Sequence, residues 1–126
     1  MEFELDVIRR ISDLDYQRKV WIEYSLPNVI DSWANTMDDF DLISSNSSEN
    51  MTPESYPEFG LSTLQIEQFK RLTNIVNNYD PKVGKSEDLD SKEVLEKILA
   101  DPEWHQVVEC AKETMKAFEG YNGANR

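Results

Sequence analysis

Apolar residues recur every three or four positions towards the C-terminal end of the chain, the spacing that places side chains on one face of an α-helix. The series is Trp104, Val107, Val108, Ala111, Met115 and Phe118. Asp101 and Pro102 match an N-cap and a first-turn proline, and Gly120 matches a helix end. The pattern predicts a helix between Pro102 and Gly120.

Four earlier segments show the same periodicity and are also predicted to be helices. Ser62 and Gln65 match a capping box that begins one of them, and Asp90 or Ser91 is the predicted cap of the next. A further helix is predicted over residues 29–43. The apolar faces are Phe3, Val7, Ile8, Ile11 and Leu14; Ile30, Trp33, Met37, Phe40 and Ile43; Leu64, Phe69, Leu72, Ile75, Val76 and Tyr79; and Val94, Leu95, Ile98 and Leu99. The fold class predicted from these patterns is all-α.

One segment, residues 16–24, fits two periods. Val20, Ile22 and Tyr24 alternate as in a β-strand, whereas Tyr16 lies four positions before Val20, as on a helix. The helical neighbours favour a helix, and pairing as a strand is the alternative.

Length and composition set the expected architecture. The 126 residues suffice for one domain with a single core, so residues 1–126 are predicted to form one compact bundle of five or six helices. Residues 44–60 are rich in Ser, Asn, Pro and Glu and are predicted to be a long polar loop.

The chain is strongly acidic, and the charge is concentrated. The formal net charge is -12, and the 50 residues between Lys19 and Lys70 contain nine acidic residues and no Lys or Arg. Helix surfaces usually mix both signs, because opposite charges three or four positions apart attract each other. The block of one sign therefore indicates a surface that binds a basic protein, with a merely solvated surface as the alternative. The predicted contact residues are Asp31, Asp38, Asp39, Asp41, Glu49, Glu54, Tyr56 and Glu58, with Tyr56 as an aromatic anchor.

Residue types with catalytic or metal-binding chemistry are sparse. His105 and Cys110 are the only residues of their kinds, and their offset places them about 140° apart on a helix. An EF-hand loop beginning at Asp39 would have Ser44 in place of the required Gly and Asn50 in place of the required Glu. The four glycines are isolated, so there is no phosphate-binding loop. We therefore expect neither an enzyme nor a bound cofactor or metal.

The predicted location is the cytoplasm. No apolar run approaches the roughly 20 residues that cross a bilayer, and the first six residues are acidic, unlike a signal peptide. The net charge would repel nucleic acid and anionic membranes, so we expect direct contact with neither. The oligomeric state stays open.

Three stretches resemble small immunity proteins encoded beside bacterial polymorphic toxins, including those of contact-dependent growth inhibition. The stretches are LDYQRKVWI at residues 14–22, FGLS at 59–62 and DPEW at 101–104. The resemblance implies an antidote that binds a toxin domain made by the same or a neighbouring cell. Such toxins are often nucleases with basic clefts, which suits an acidic partner, and the resemblance carries over no contact residue.

The leading hypothesis is therefore an immunity protein that covers the active site of a basic toxin, a nuclease. Two alternatives are an acidic mimic of nucleic acid that inhibits a DNA-binding protein, and a regulatory adaptor without inhibitory activity.

Overall fold

Residues 2–23, 31–44, 62–81 and 91–119 are described in a computed structural model of the chain. Over these residues the protein is 86% helical, with six α-helices, one π-helical turn and no strand. The elements are α1 (Glu2–Ser12), α2 (Leu14–Gln17), the π-helical turn (Arg18–Ile22), α3 (Trp33–Ser44), α4 (Thr63–Asn78), α5 (Lys92–Ala100) and α6 (Pro102–Ala117). The all-α prediction is confirmed for the described part of the chain.

The predicted caps begin the last three helices. Ser62 Oγ accepts a hydrogen bond of 3.1 Å from the Gln65 backbone N, and Gln65 Oε1 accepts one of 2.8 Å from the Ser62 backbone N, which completes the capping box. Ser91 Oγ accepts from the Val94 backbone N at the start of α5. Asp101 caps α6 through the backbone N of Glu103. These side chains satisfy amide groups that have no partner within a helix.

The predicted helix start at residue 29 is wrong by four residues, and the predicted apolar face of the first helix extends past its end to Leu14. The α3 helix begins at Trp33 and not at residue 29, because Ser32 Oγ accepts the Asn35 backbone N at 3.0 Å and so acts as its cap. The first helix ends at Ser12 because Asp13 begins α2 by accepting the Tyr16 backbone N at 3.0 Å. The predicted loop overlaps α3 at its last residue, and residues 45–60 lie outside the described part, as does Gly120.

The ambiguous segment 16–24 is helical as far as it is described. Its centre is the π-helical turn, in which the Glu23 backbone N donates to Arg18 O at 3.0 Å across five residues. Val20, Trp21 and Ile22 are consecutive in sequence, and all three are buried. A π-helical turn is wider than an α-helical one. Its side-chain pattern therefore follows neither the period of a strand nor that of an α-helix, which explains the conflicting signals.

The bundle is organised around α6, which packs against both α1 and α4. The α3 helix runs antiparallel to α4, since the Trp33 ring lies 6.4 Å from that of Tyr79 and the Phe40 ring 6.0 Å from that of Phe69. Trp104, at the start of α6, has its ring 5.2 Å from Tyr79 and 6.3 Å from both Trp33 and Trp21. This aromatic cluster fixes where α3 and the π-helical turn meet α6. None of the described helices has the length and apolar character that would let it cross a bilayer.

Candidate partner-binding surface

Asp31 is one of the predicted partner contacts, and the structure buries it inside the bundle. The residue is only 6% exposed. Its carboxylate accepts hydrogen bonds from five side chains: Arg10 Nη1 at 3.2 Å, Tyr16 Oη at 2.9 Å, Trp21 Nε1 at 3.3 Å, Asn35 Nδ2 at 2.8 Å and Thr36 Oγ1 at 2.8 Å. A buried charge is tolerated only when it is paired and hydrogen-bonded, and the Asp31 carboxylate is both. We therefore assign Asp31 a role in stabilising the fold.

Arg10 connects Asp31 to a second acid of the predicted surface. Its Nη2 donates to Asp39 Oδ2 at 2.9 Å, and its Nε lies 3.3 Å from Asp6 Oδ2. The Asp39 side chain is only 25% exposed. The guanidinium thus ties α1 to α3 and neutralises Asp39, so this carboxylate adds little to an outward electric field.

The network moves the pKa values of its members in opposite senses. Burial on its own would raise the pKa of Asp31, but hydrogen bonds from Asn35, Thr36 and Tyr16 outweigh it and lower the pKa. Burial would lower the pKa of Arg10, and the carboxylates of Asp39 and Asp31 reverse this and raise it. Burial and the hydrogen bond to Asp31 both raise the pKa of Tyr16. All three groups keep their ordinary charge states at neutral pH.

Asp38 and Asp41 remain on the surface of α3, and a leucine lies beside them. Both aspartates are exposed, and Leu42 is 48% exposed. Because Asp41 and Leu42 follow Asp38 by three and four positions, the three side chains share one side of the helix. We call Asp38, Asp41 and Leu42 the α3 face.

Sequence reasoning missed Leu42, although a signal for it was present. The apolar series of this helix runs from Trp33 through Met37 and Phe40 to Ile43, and Leu42 falls outside its spacing. An apolar residue out of register with the buried face of its helix is expected at the surface.

The α3 face is not arranged for the stability of its own helix. The α3 helix contains no Lys or Arg, and two of its three aspartates, Asp39 and Asp41, lie in its C-terminal half. Asp41 lies in the last turn, where the negative end of the helix dipole disfavours a carboxylate, and Asp38 and Asp41 repel each other at a spacing of three. Neither of the two pairs with a cation in the described segments. An unfavourable local charge pattern on an exposed surface is consistent with a role in binding.

Four of the predicted contacts, Glu49, Glu54, Tyr56 and Glu58, lie outside the described residues. The structure therefore places four of the eight predicted contacts: the buried Asp31, and Asp38, Asp39 and Asp41 on α3.

The residues that carry the family resemblance have structural roles. Gln17, from the first stretch, donates from Nε2 to Arg10 O and Ile11 O, both at 2.9 Å. Its Oε1 accepts the Trp104 Nε1 hydrogen at 3.0 Å, so the first and third stretches are in direct contact. Of the second stretch only Ser62, the cap of α4, is described. The resemblance therefore rests on residues that hold the bundle together and identifies no surface.

A groove lies between α4 and α6, and none of the eight predicted contact residues lines it. Its larger hollow, of about 430 Å³, is lined by Arg71, Ile75, His105, Gln106, Glu109, Cys110 and Glu113. His105 and Cys110 both border it, but each makes a polar contact with a residue outside its lining. His105 Nε2 lies 2.6 Å from Leu99 O, and Cys110 Sγ lies 3.8 Å from Gln68 Nε2. Burial, and after it the nearby Glu113, raises the pKa of the Cys110 thiol.

Within the described ranges no three His, Cys, Asp or Glu side chains gather as they would around a metal ion. Comparison of the chain with protein-family models, with curated proteins and with solved structures found no match.

Proposed function

We propose that the chain is an immunity protein that binds and neutralises a basic toxin domain, a nuclease, and that the α3 face is part of the contact. The observation that carries the proposal is the α3 face itself. It presents two exposed carboxylates and an exposed leucine on a helix without any basic residue.

The charge of this face suits the partner. A nuclease must hold phosphate groups, and it does so with Lys and Arg in its cleft. Carboxylates on a helix surface attract the same cations, and the wider charge of -12 extends that attraction over a longer range. A protein of this kind inhibits by occupying the cleft that the nucleic acid would enter.

Leu42 supplies what charge alone does not provide. Exposed ion pairs contribute roughly 0–1 kcal/mol each, whereas full burial of a leucine side chain contributes about 1.5–3 kcal/mol. Leu42 lies next to Asp41 and one helical turn from Asp38, so contact with the cations would bring it into the same interface. Charge then sets the rate of association, and Leu42 slows dissociation.

The test is binding kinetics against the toxin domain encoded immediately upstream of this chain, the partner that the proposal requires. The D38N/D41N variant should associate about tenfold more slowly at low salt, and the difference should shrink as salt screens the charges. The L42A variant should instead dissociate faster, with little change in association rate.

A matched control is available on α5. Glu93 and Glu96 are exposed and also three positions apart, so E93Q/E96Q removes the same charge at the same spacing. We expect this control to change the association rate less than twofold. Equal slowing by both double variants would mean that only net charge matters. Unchanged kinetics for D38N/D41N and L42A, or the lack of any toxin gene beside this one, would contradict the proposal.

A further inference from the structure

The groove between α4 and α6 is long, because two hollows join along it. The larger hollow and a second one of about 190 Å³ share Ile75 and Gln106. The second is lined in addition by Asn78, Tyr79, Glu103 and Val107. Both hollows lie along the line where α4 and α6 pack. We call the combined feature the α4–α6 groove.

The two helices contact each other at both ends of the groove, and the less exposed of its lining residues form its floor. Gln68 Nε2 donates to Thr114 Oγ1 at 3.1 Å at one end, and the Tyr79 and Trp104 rings approach to 5.2 Å at the other. Between these contacts the floor consists of Ile75, Val107 and Cys110. An apolar floor between two fixed contacts gives a preformed site, which binds at a lower entropic cost than a site that must first open.

The rim of the groove is predominantly negative. Three carboxylates, those of Glu103, Glu109 and Glu113, line it, and Arg71 is the one Lys or Arg among the lining residues. Glu109 also forms an exposed ion pair with Lys112, whose Nζ lies 3.0 Å from Glu109 Oε2. Arg71 Nη1 lies 4.0 Å from Glu113 Oε1, with side chains 68% and 64% exposed. Exposed pairs of this kind are worth roughly 0–1 kcal/mol. A cation brought by a partner can therefore replace Arg71 at Glu113 at small cost.

We propose that the α4–α6 groove docks a basic amphipathic helix of a protein partner. An apolar side chain of that helix lies on the floor formed by Ile75, Val107 and Cys110. Lys or Arg side chains on its flanks meet the rim carboxylates Glu103, Glu109 and Glu113. This is the helix-in-groove mode of recognition, in which apolar positions three and four apart enter a groove.

The dimensions of the groove fit such a helix. The stretch of α6 from Glu103 to Glu113 is about 15 Å long at 1.5 Å per residue, which matches roughly three turns of a partner helix. On α4, Arg71 lies about 200° around the helix axis from Phe69, whose ring packs against Phe40 of α3. The larger hollow and Phe40 therefore lie on different sides of α4. Tyr79 borders the smaller hollow and contacts Trp33, but none of Asp38, Asp41 and Leu42 lines either hollow, so this proposal does not depend on the α3 face.

The test uses a defined probe, a synthetic 14-residue amphipathic helical peptide with leucines on one face and lysines on its flanks. Titration into the ¹⁵N-labelled protein should shift the backbone resonances of Ile75, Gln106, Val107 and Cys110 most. The same peptide with glutamate in place of lysine should not bind. Shifts confined to α3, or equal binding of the acidic peptide, would overturn the proposal.

Two kinds of variant distinguish peptide binding in the groove from attraction to the overall negative charge of the protein. Gln106 is exposed and borders both hollows, so Q106W should obstruct the groove and weaken binding at least tenfold. K116W, the same bulky replacement at an exposed site of α6 outside the groove lining, should leave binding unchanged. E109Q/E113Q, which adds no bulk, should weaken binding roughly three- to tenfold, and E93Q/E96Q on α5 should not. Unaltered affinity in both Q106W and E109Q/E113Q would refute the assignment.

Discussion

The indole Nε1 of Trp104 donates a hydrogen bond of 3.0 Å to Oε1 of Gln17, 87 positions earlier in the chain. Both side chains are fully buried. The Gln17 Nε2 also donates to Arg10 O and Ile11 O, two carbonyl groups in the last turn of α1. One amide thus joins the end of α1 to the start of α6 and satisfies polar groups that water cannot reach.

Replacing Gln17 by leucine should destabilise the protein by about 2–4 kcal/mol, because the substitution leaves the Trp104 N–H and two carbonyl groups buried without partners. Urea unfolding of Q17L gives the value from the shift in midpoint. Q106L is the matched control, since Gln106 is exposed on α6, and its midpoint should stay close to that of the unaltered protein. A midpoint for Q17L equal to that of Q106L would show that the hydrogen bonds contribute nothing.

Asp31→Asn should also be costly, by about 2–4 kcal/mol, since it leaves the largely buried Arg10 guanidinium with one fewer carboxylate. Asp38→Asn, on the same helix but exposed, should not destabilise the protein. Thermal or urea unfolding of the two variants distinguishes them. Equal stability of D31N and D38N would contradict the structural role assigned to Asp31.

The stability contributed by Asp31 should depend on pH in one direction. The folded state lowers its pKa, so the contribution is fully present above about pH 4, the ordinary value for an aspartate, and is lost as the pH falls through the folded pKa. The difference in unfolding free energy between the unaltered protein and D31N should therefore shrink below pH 4. The difference for Q17L should not shrink, because no titrating group is removed. A D31N difference that stays constant down to pH 2 would disprove the assignment.

The helices could be predicted from the sequence because their signals are local. Apolar periodicity and the caps Ser62 and Ser91 depend on residues a few positions apart, and both caps are where the pattern indicates. The burial of Asp31 could not be predicted, because it depends on contact with Arg10, which lies in α1, 21 positions earlier in the chain. Counting charges along the chain treats all nine acids of the block alike. Only the packing separates a buried carboxylate from the exposed Asp41.

Removing the charges of the α3 face should leave the fold intact or strengthen it. D38N/D41N relieves repulsion between the two carboxylates and the conflict of Asp41 with the negative end of the helix dipole, so its unfolding free energy should rise by about 0.3–1 kcal/mol. The same variant is expected to bind the toxin more slowly, so stability and binding should change in opposite senses. Parallel unfolding and kinetic measurements on one preparation test this. A loss of stability greater than about 1 kcal/mol would show that the aspartates support the fold.

The Cys110 thiol should react slowly while the protein is folded. It is buried, and burial together with Glu113 raises its pKa, so little reactive thiolate is present. With a disulfide reagent at pH 8 we expect a rate on the order of a hundredfold below that of the urea-unfolded chain. Rapid labelling of the folded protein would mean that the floor of the α4–α6 groove opens readily.

Because α1 packs against α6, the first helix cannot complete its packing until the last helix has been synthesised. Nearly 90 residues separate the end of α1 from the start of α6. At rates of roughly 5–20 residues per second, α1 leaves the ribosome roughly 5–20 s before α6 can cover it. During that interval the side chains of Val7, Ile8 and Ile11 have no α6 to pack on. The nascent chain therefore carries these apolar side chains without their α6 partner until the last helix is made, and because an isolated 11-residue helix is marginal in water, α1 becomes stable only late in synthesis.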